Sequence, residues 1–122
     1  MSEKTILIAE DDSLMAELIE HRLKRDGHKT VVVEDGIAAV DEVKSLKPDA
    51  IILDGMLPGM DGFEVLRALK DDDATRDIPV IMLTARSLEK DVTDGFSLGA
   101  DDYIVKPFMP NELSARLARL LA

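Results

Sequence analysis

ILIAEDD, at residues 6–12, and AIILD, at residues 50–54, each run an apolar, strand-like stretch straight into carboxylates. A parallel sheet would bring both ends to one edge, and charge is costly there unless something binds it. Working outward, apolar runs of about five residues alternate with longer segments of helical periodicity, the pattern of repeated strand, helix, strand units. The strands read as Thr5 to Ala9, Thr30 to Val33, Ala50 to Leu53, Val80 to Leu83 and Tyr103 to Val105. Their β-branched and Leu-rich composition, with little polar alternation in the middle ones, suits strands covered on both faces.

Five helices are expected between and after them. The first opens near Ser13, with Leu14, Leu18, Ile19 and Leu23 on its inner stripe, and stops near Gly27. The second starts near Ile37, buries Val40 and Val43 and ends before Pro48, and the third opens near Gly62 with Val65, Leu66 and Leu69 inward. A fourth, around Leu88 to Leu98, has weak propensity because of Thr93, Asp94, Gly95 and Gly99. The fifth follows Pro110 and Asn111 and carries Leu113, Leu117, Leu120 and Leu121 at helical spacing. Right-handed crossovers then give a doubly wound α/β sheet, with 1–122 as one domain and ligands bound outside the carboxyl ends of the strands.

The 122 residues combine 46% hydrophobic with 33% charged side chains, and no apolar run approaches the roughly 20 residues of a membrane span. The first residues, MSEKT, lack the apolar stretch of a secretory signal, so the expected compartment is the cytoplasm. With no cysteine, disulfides, thiolate metal sites and cysteine nucleophiles are excluded, and any metal must be held by oxygen. Twenty-five acidic against 15 basic residues oppose direct binding to a nucleic-acid backbone.

The strand ends together would display Glu10, Asp11, Asp12, Asp54, Thr84 and Lys106. Clustered carboxylates resist joint ionisation unless a cation sits among them, and a hard ion such as Mg²⁺ suits one or two carboxylates, a carbonyl and a phosphate oxygen. Asp54 could act as a nucleophile toward phosphorus, with Lys106 as a point charge and Thr84 as a hydroxyl donor. The loop Gly55-Met56-Leu57-Pro58-Gly59-Met60-Asp61-Gly62 is too rich in Gly and Pro for helix, so its backbone can approach a ligand. Asp12 equally suits a helix N-terminus, Tyr103 a core aromatic, and His21 and His28 carry no assigned role.

Glu10 and Asp11 after ILIA, LDGMLPGMDG around Asp54, LTA at Leu83 to Ala85 and GADDYIVKPF from Gly99 to Phe108 resemble, in order and spacing, the response-regulator receiver domains of two-component signalling. That resemblance implies a flavodoxin-like sheet of strand order 2-1-3-4-5. It implies Asp54 as phosphoacceptor, and Mg²⁺ held by Asp11, Asp54, the Met56 backbone carbonyl and Glu10, directly or through water. Thr84 and Lys106 would contact the phosphoryl group, with Tyr103 following Thr84 to change the face of fourth helix, fifth strand and fifth helix. A cis Lys106–Pro107 bond is also implied.

Met56 and Arg86 would border the route of water to the phosphoryl group, giving slow self-dephosphorylation. Asp101, Asp102, Glu112, Arg116 and Arg119 resemble the charged face through which receivers attached to winged-helix transcription factors dimerise, although Val92 stands where a basic partner for Glu112 is usual. The implied partners are a sensor histidine kinase or phosphotransfer protein upstream and a protein partner or fused output domain downstream. Of the other classes, a magnesium-dependent phosphatase lacks a second acid near Asp54, and an unphosphorylated adaptor would not need the reactive set.

Overall fold

A computed structural model describes residues 3–84 and 99–122. Its strands are β1 (Thr5–Ala9), β2 (Lys29–Val33), β3 (Ala50–Asp54), β4 (Val80–Thr84) and β5 (Asp102–Val105). They form one parallel sheet of order β2-β1-β3-β4-β5, as the resemblance implies. The helices among the described residues are α1 (Ser13–Arg25), α2 (Gly36–Leu46), α3 (Gly62–Asp71) and α4 (Pro110–Leu121). The last is the fifth helix of the sequence reading; the segment expected as the fourth, with Arg86 and Val92, lies outside the described residues. No helix among the described residues is long and apolar enough to cross a membrane.

Strand alternation sorts the core into two layers. Leu7, Ile51, Leu53, Val80 and Met82 point to one face, where they meet Ala39 and Val43 of α2 and Val65, Leu66 and Leu69 of α3. Ile6, Ile8, Ile52, Ile81, Leu83 and Ile104 point to the other, against Ile19 and Leu23 of α1 and Leu113 and Leu117 of α4. Truncating a fully buried residue such as Ile52 to Ala would cost about 2–5 kcal/mol, through lost transfer energy and the cavity left. Two faces packed this way leave the strand ends as the place for chemistry.

Each of the first three helices starts on an aspartate that satisfies free backbone donors. Asp12 Oδ1 accepts from the N–H of Leu14 at 3.0 Å, Asp35 Oδ1 from Ala38 at 2.7 Å and Asp61 Oδ1 from Glu64 at 3.0 Å. Asp12 is therefore a cap, the plainer of its two readings. α4 instead starts with proline and has no side-chain cap.

Helical spacing misjudges α1. Leu14 and Leu18 were expected inside, yet they are 67% and 54% exposed, while Ala16, Ile19 and Leu23 are buried. At about 100° per residue, Leu14 and Leu18 stand roughly opposite the face of Ala16, Ile19 and Leu23, so packing that face on the sheet leaves them outside. In α2, Val43 is buried as expected, but Ala39 takes the inner place and Val40 is half-buried.

Candidate functional site

The site forms where four strand ends meet. The Glu10 N–H continues the β1 ladder by donating to the Val33 carbonyl at 3.0 Å, and the residue is 1% exposed. Asp54 closes β3 at 5% exposure and Thr84 closes β4 at 4%. Lys106 follows β5 directly and is joined to Pro107 by a cis peptide bond, as the resemblance implies.

Lys106 Nζ donates to Glu10 Oε1 at 2.7 Å and to Asp54 Oδ2 at 3.1 Å. Residues 96 and 52 positions apart in sequence are thereby drawn into one ion-paired group. One carboxylate oxygen from each of Glu10, Asp11 and Asp54 lies within 4.8 Å of the others. Asp11 is exposed, so the group opens to solvent on that side.

The loop after Asp54 is held by backbone contacts, and two close approaches around it admit no Cβ. Gly55 N–H donates to Leu83 O at 2.7 Å, and Gly62 N–H closes the loop on Gly55 O at 3.0 Å. A Cβ on Gly62 would stand 2.0 Å from the Asp54 carbonyl oxygen, and one on Gly36 would stand 1.8 Å from that of Met60. The backbone N–H of Met56 donates to Asp54 Oδ1 at 3.1 Å, orienting the carboxylate. The resulting cavity, about 670 Å³, is bounded by Asp11, Asp54, Met56, Phe63, Thr84 and Lys106 among others.

Burial, then the adjacent Asp54 carboxylate, push Glu10 up to about 7, against the pull of Lys106. For Lys106, burial lowers affinity for the proton, but hydrogen bonds to Glu10 and Asp54 and their charges outweigh it, so its pKa is raised. The pair is thus one lysine shared by two carboxylates, with Glu10 Oε2 buried and unpartnered among the described residues. An orphaned acidic oxygen beside two further carboxylates fits a hard cation with oxygen ligands, the composition expected for Mg²⁺.

The other expected residues divide. Tyr103 is 7% exposed within the α2/α3 core layer. Asp102, read from the sequence as part of an exposed charged face, is 5% exposed; its Oδ1 accepts from Arg116 at 2.7 Å and its Oδ2 from Arg119 at 3.0 Å. Glu112 faces Arg116 at 3.5 Å, and Arg86 lies outside the described residues. What sequence reasoning missed is the apolar rim. Of the large exposed hydrophobics of the described residues, Leu14, Ile37, Met56 and Met109 belong to the starts of α1 and α2 and to the loops after β3 and β5, on the edge that holds the carboxylates, and Leu18 continues from Leu14 along α1.

The response regulator receiver domain family model matches residues 6–118. The chain belongs to that family. This receiver domain is 47% identical over 116 residues to the DNA-binding response regulator MtrA of Mycobacterium tuberculosis, covering 94% of the chain and 50% of the relative. It is 46% identical over 121 residues to the phosphate regulon transcriptional regulatory protein PhoB of Pseudomonas aeruginosa, covering 99% and 53%. The chain spans about half the length of the curated relatives it matches.

Among solved structures, a putative response regulator from Chloroflexus aurantiacus superposes with a TM-score of 0.94 at 35% identity, covering 98% of each chain. The receiver domain of a sensor histidine kinase from Pseudomonas aeruginosa does so at 0.90 and 34%, again over 98% of each, and was solved with a magnesium ion coordinated in its active site cleft.

Proposed function

We propose that this receiver domain is a phosphorylation-controlled switch in which Asp54 accepts a phosphoryl group from a histidine kinase or phosphotransfer protein. The observation that carries the reading is the Lys106 ammonium bridging Glu10 and Asp54 beside a third carboxylate, Asp11. An Asp54 oxygen attacks the phosphorus of a phosphoimidazole: the O–P bond forms, the N–P bond breaks, and its electron pair leaves with the imidazole nitrogen. Glu10, Asp11, Asp54 and the Met56 carbonyl would hold magnesium, which when bound neutralises charge on the carboxylates and the phosphoryl oxygens. Lys106 then binds a phosphoryl oxygen as a point charge, and the Thr84 hydroxyl donates to another.

The apolar rim supports a protein as donor, because large exposed side chains at the starts of α1 and α2 and in the loops after β3 and β5 make a surface suited to burial. Downstream, the reading continues through Thr84 and Tyr103 to the face of β5 and α4, where a partner, a fused output domain or a second copy would respond. Asp102, Glu112 and Arg116 are the residues proposed for a phosphorylation-dependent homodimer; with Asp102 already held by Arg116 and Arg119 within the chain, pairing across such a dimer exchanges contacts rather than adding them. Slow self-dephosphorylation, with Met56 and Arg86 bordering the path of water, and residence in the cytoplasm complete the proposal.

The decisive experiment exposes the chain to acetyl phosphate with Mg²⁺ and to a set of purified histidine kinases. Phosphoprotein is expected in both, and none in the Asp54→Asn variant. Label retained by that variant would refute the assignment of Asp54.

A further inference from the structure

With no cysteine in the chain, methionine is the only sulfur that mild oxidants can modify reversibly. The methionines of the described residues differ sharply in access. Met82 is 0% exposed in the sheet, Met15 and Met60 are partly covered, and Met56 and Met109 are each 67% exposed. Only Met56 of the two exposed ones lines the cavity that holds Asp54, Thr84 and Lys106. Its backbone N–H is bonded to the Asp54 carboxylate, so its side chain departs from a backbone fixed next to the reacting oxygen.

A thioether is a weak acceptor, and Met56 is part of the apolar side of the cavity with Leu57, Pro58 and Phe63. A sulfoxide replaces it with a polar oxygen that holds water. We propose that Met56 is a redox modification site at which peroxide forms a sulfoxide that shortens the life of a phosphoryl group on Asp54. In this step an S–O bond forms, the O–O bond of hydrogen peroxide breaks, sulfur gives up two electrons and the remaining oxygen leaves as water. Reduction reverses it: the sulfoxide oxygen leaves as water while two thiols of a reductase and its thiol donor become a disulfide.

The inference rests on Asp54 being the phosphoacceptor. Its test begins with hydrogen peroxide treatment of the whole chain and peptide mass spectrometry, where Met56 and Met109 are expected to gain one oxygen before Met82 does. Treated and untreated protein are then phosphorylated with acetyl phosphate and Mg²⁺, which needs no docking partner, and decay is followed after the donor is removed. Oxidation should shorten the half-life about fivefold, the factor that one additional water hydrogen bond in the transition state supplies.

Met109→Leu should keep this response, Met56→Leu should lose it, and a methionine sulfoxide reductase should restore the original decay. Met56→Gln, which carries a permanent amide acceptor, should decay fast without oxidation. Unchanged decay in protein oxidised at Met56 would overturn the proposal, as would an equal acceleration in Met56→Leu or oxidation that spares Met56. Untreated protein that takes no phosphoryl group at all would overturn the Asp54 reading itself, and is told apart because it fails before any oxidant is added.

Discussion

Replacing Lys106 by Met keeps the aliphatic stem and removes the charge that holds Glu10 and Asp54 together. At 2.7 and 3.1 Å the two contacts are worth several kcal/mol in gross Coulomb energy at an effective dielectric of about 20, most of it offset by desolvation. Removing one partner of a buried group costs about 3–5 kcal/mol, and the 18% exposure of the lysine side chain places this case near the lower figure. A loss of ~3 kcal/mol lowers the melting temperature by about 10 °C in a domain of this size. Calorimetry near pH 8, where Glu10 of the parent is ionised, should show that drop without magnesium. About 10 mM Mg²⁺ should remove at least half of it, since the cation neutralises the same carboxylates. In a Glu10→Gln background the substitution should cost about 1–2 kcal/mol less, because the two residues are in direct contact. A variant that melts within about 2 °C of the parent without magnesium would refute the claim that Lys106 compensates buried charge.

Glu10, raised to about 7, keeps its proton more tightly folded than unfolded. The stability it contributes is full below its ordinary value near 4.5 and is lost as pH rises through 7. Magnesium binding must release that proton, so isothermal titration should find affinity about tenfold weaker near pH 6 than near pH 8, with proton uptake by the buffer; equal affinity would exclude Glu10 from the site. Leu14→Ser with Leu18→Ser should change stability by only about 0.5 kcal/mol per site, slow phosphotransfer from a kinase at least tenfold and leave acetyl phosphate labelling intact. Unaltered kinase transfer would remove α1 from the docking surface. Gly62→Ala should destabilise by about 2 kcal/mol or more, despite the better helix propensity of alanine, since its Cβ would meet the Asp54 carbonyl at 2.0 Å. Denaturation at parental denaturant concentrations would show that the loop relaxes freely.

The architecture was legible because both of its signals are local. Five apolar runs of strand length and the helical stripes between them place the elements, and β2 differs from expectation by one residue at an end, as do β3, β4 and β5. The ends of those strands are also where Asp54, Thr84 and Lys106 fall, so the convergence of the site followed from topology. Side-chain partnership was harder to read. That Lys106 reaches Glu10, or that Arg119 joins Arg116 on Asp102, depends on distances across the sheet that no spacing encodes. Lys70 is the plainest case. Near the end of α3 and given no role by any motif or spacing, it donates to the Arg76 and Ile78 carbonyls at 2.9 Å and reaches Asp101 at 3.4 Å, tying three segments together. Leu14 and Leu18 mislead for the opposite reason: hydrophobic periodicity reports amphipathic character and does not say whether an apolar stripe is covered by its own chain.

These two failures share a physical cause. Hydrophobic burial drives folding at positions where the chain can cover its own surface, and both layers of this sheet are completed without Leu14, Leu18 or Met109. Apolar side chains left over on the carboxylate edge, and buried carboxylates with one lysine between two of them, each raise the free energy of the isolated domain. Each cost falls when something binds: a cation for the acids, a protein surface for the rim. The strand ends can carry this burden because the packing of both sheet faces holds them regardless of local charge. It follows that Asp54→Asn should stabilise the metal-free domain while abolishing phosphoryl transfer, since it relieves repulsion with Glu10 and keeps most of the side-chain geometry. A metal-free Asp54→Asn protein that melts below the parent near pH 8 would mean that the carboxylates are already fully compensated by Lys106, leaving no electrostatic reason for the site to attract a cation.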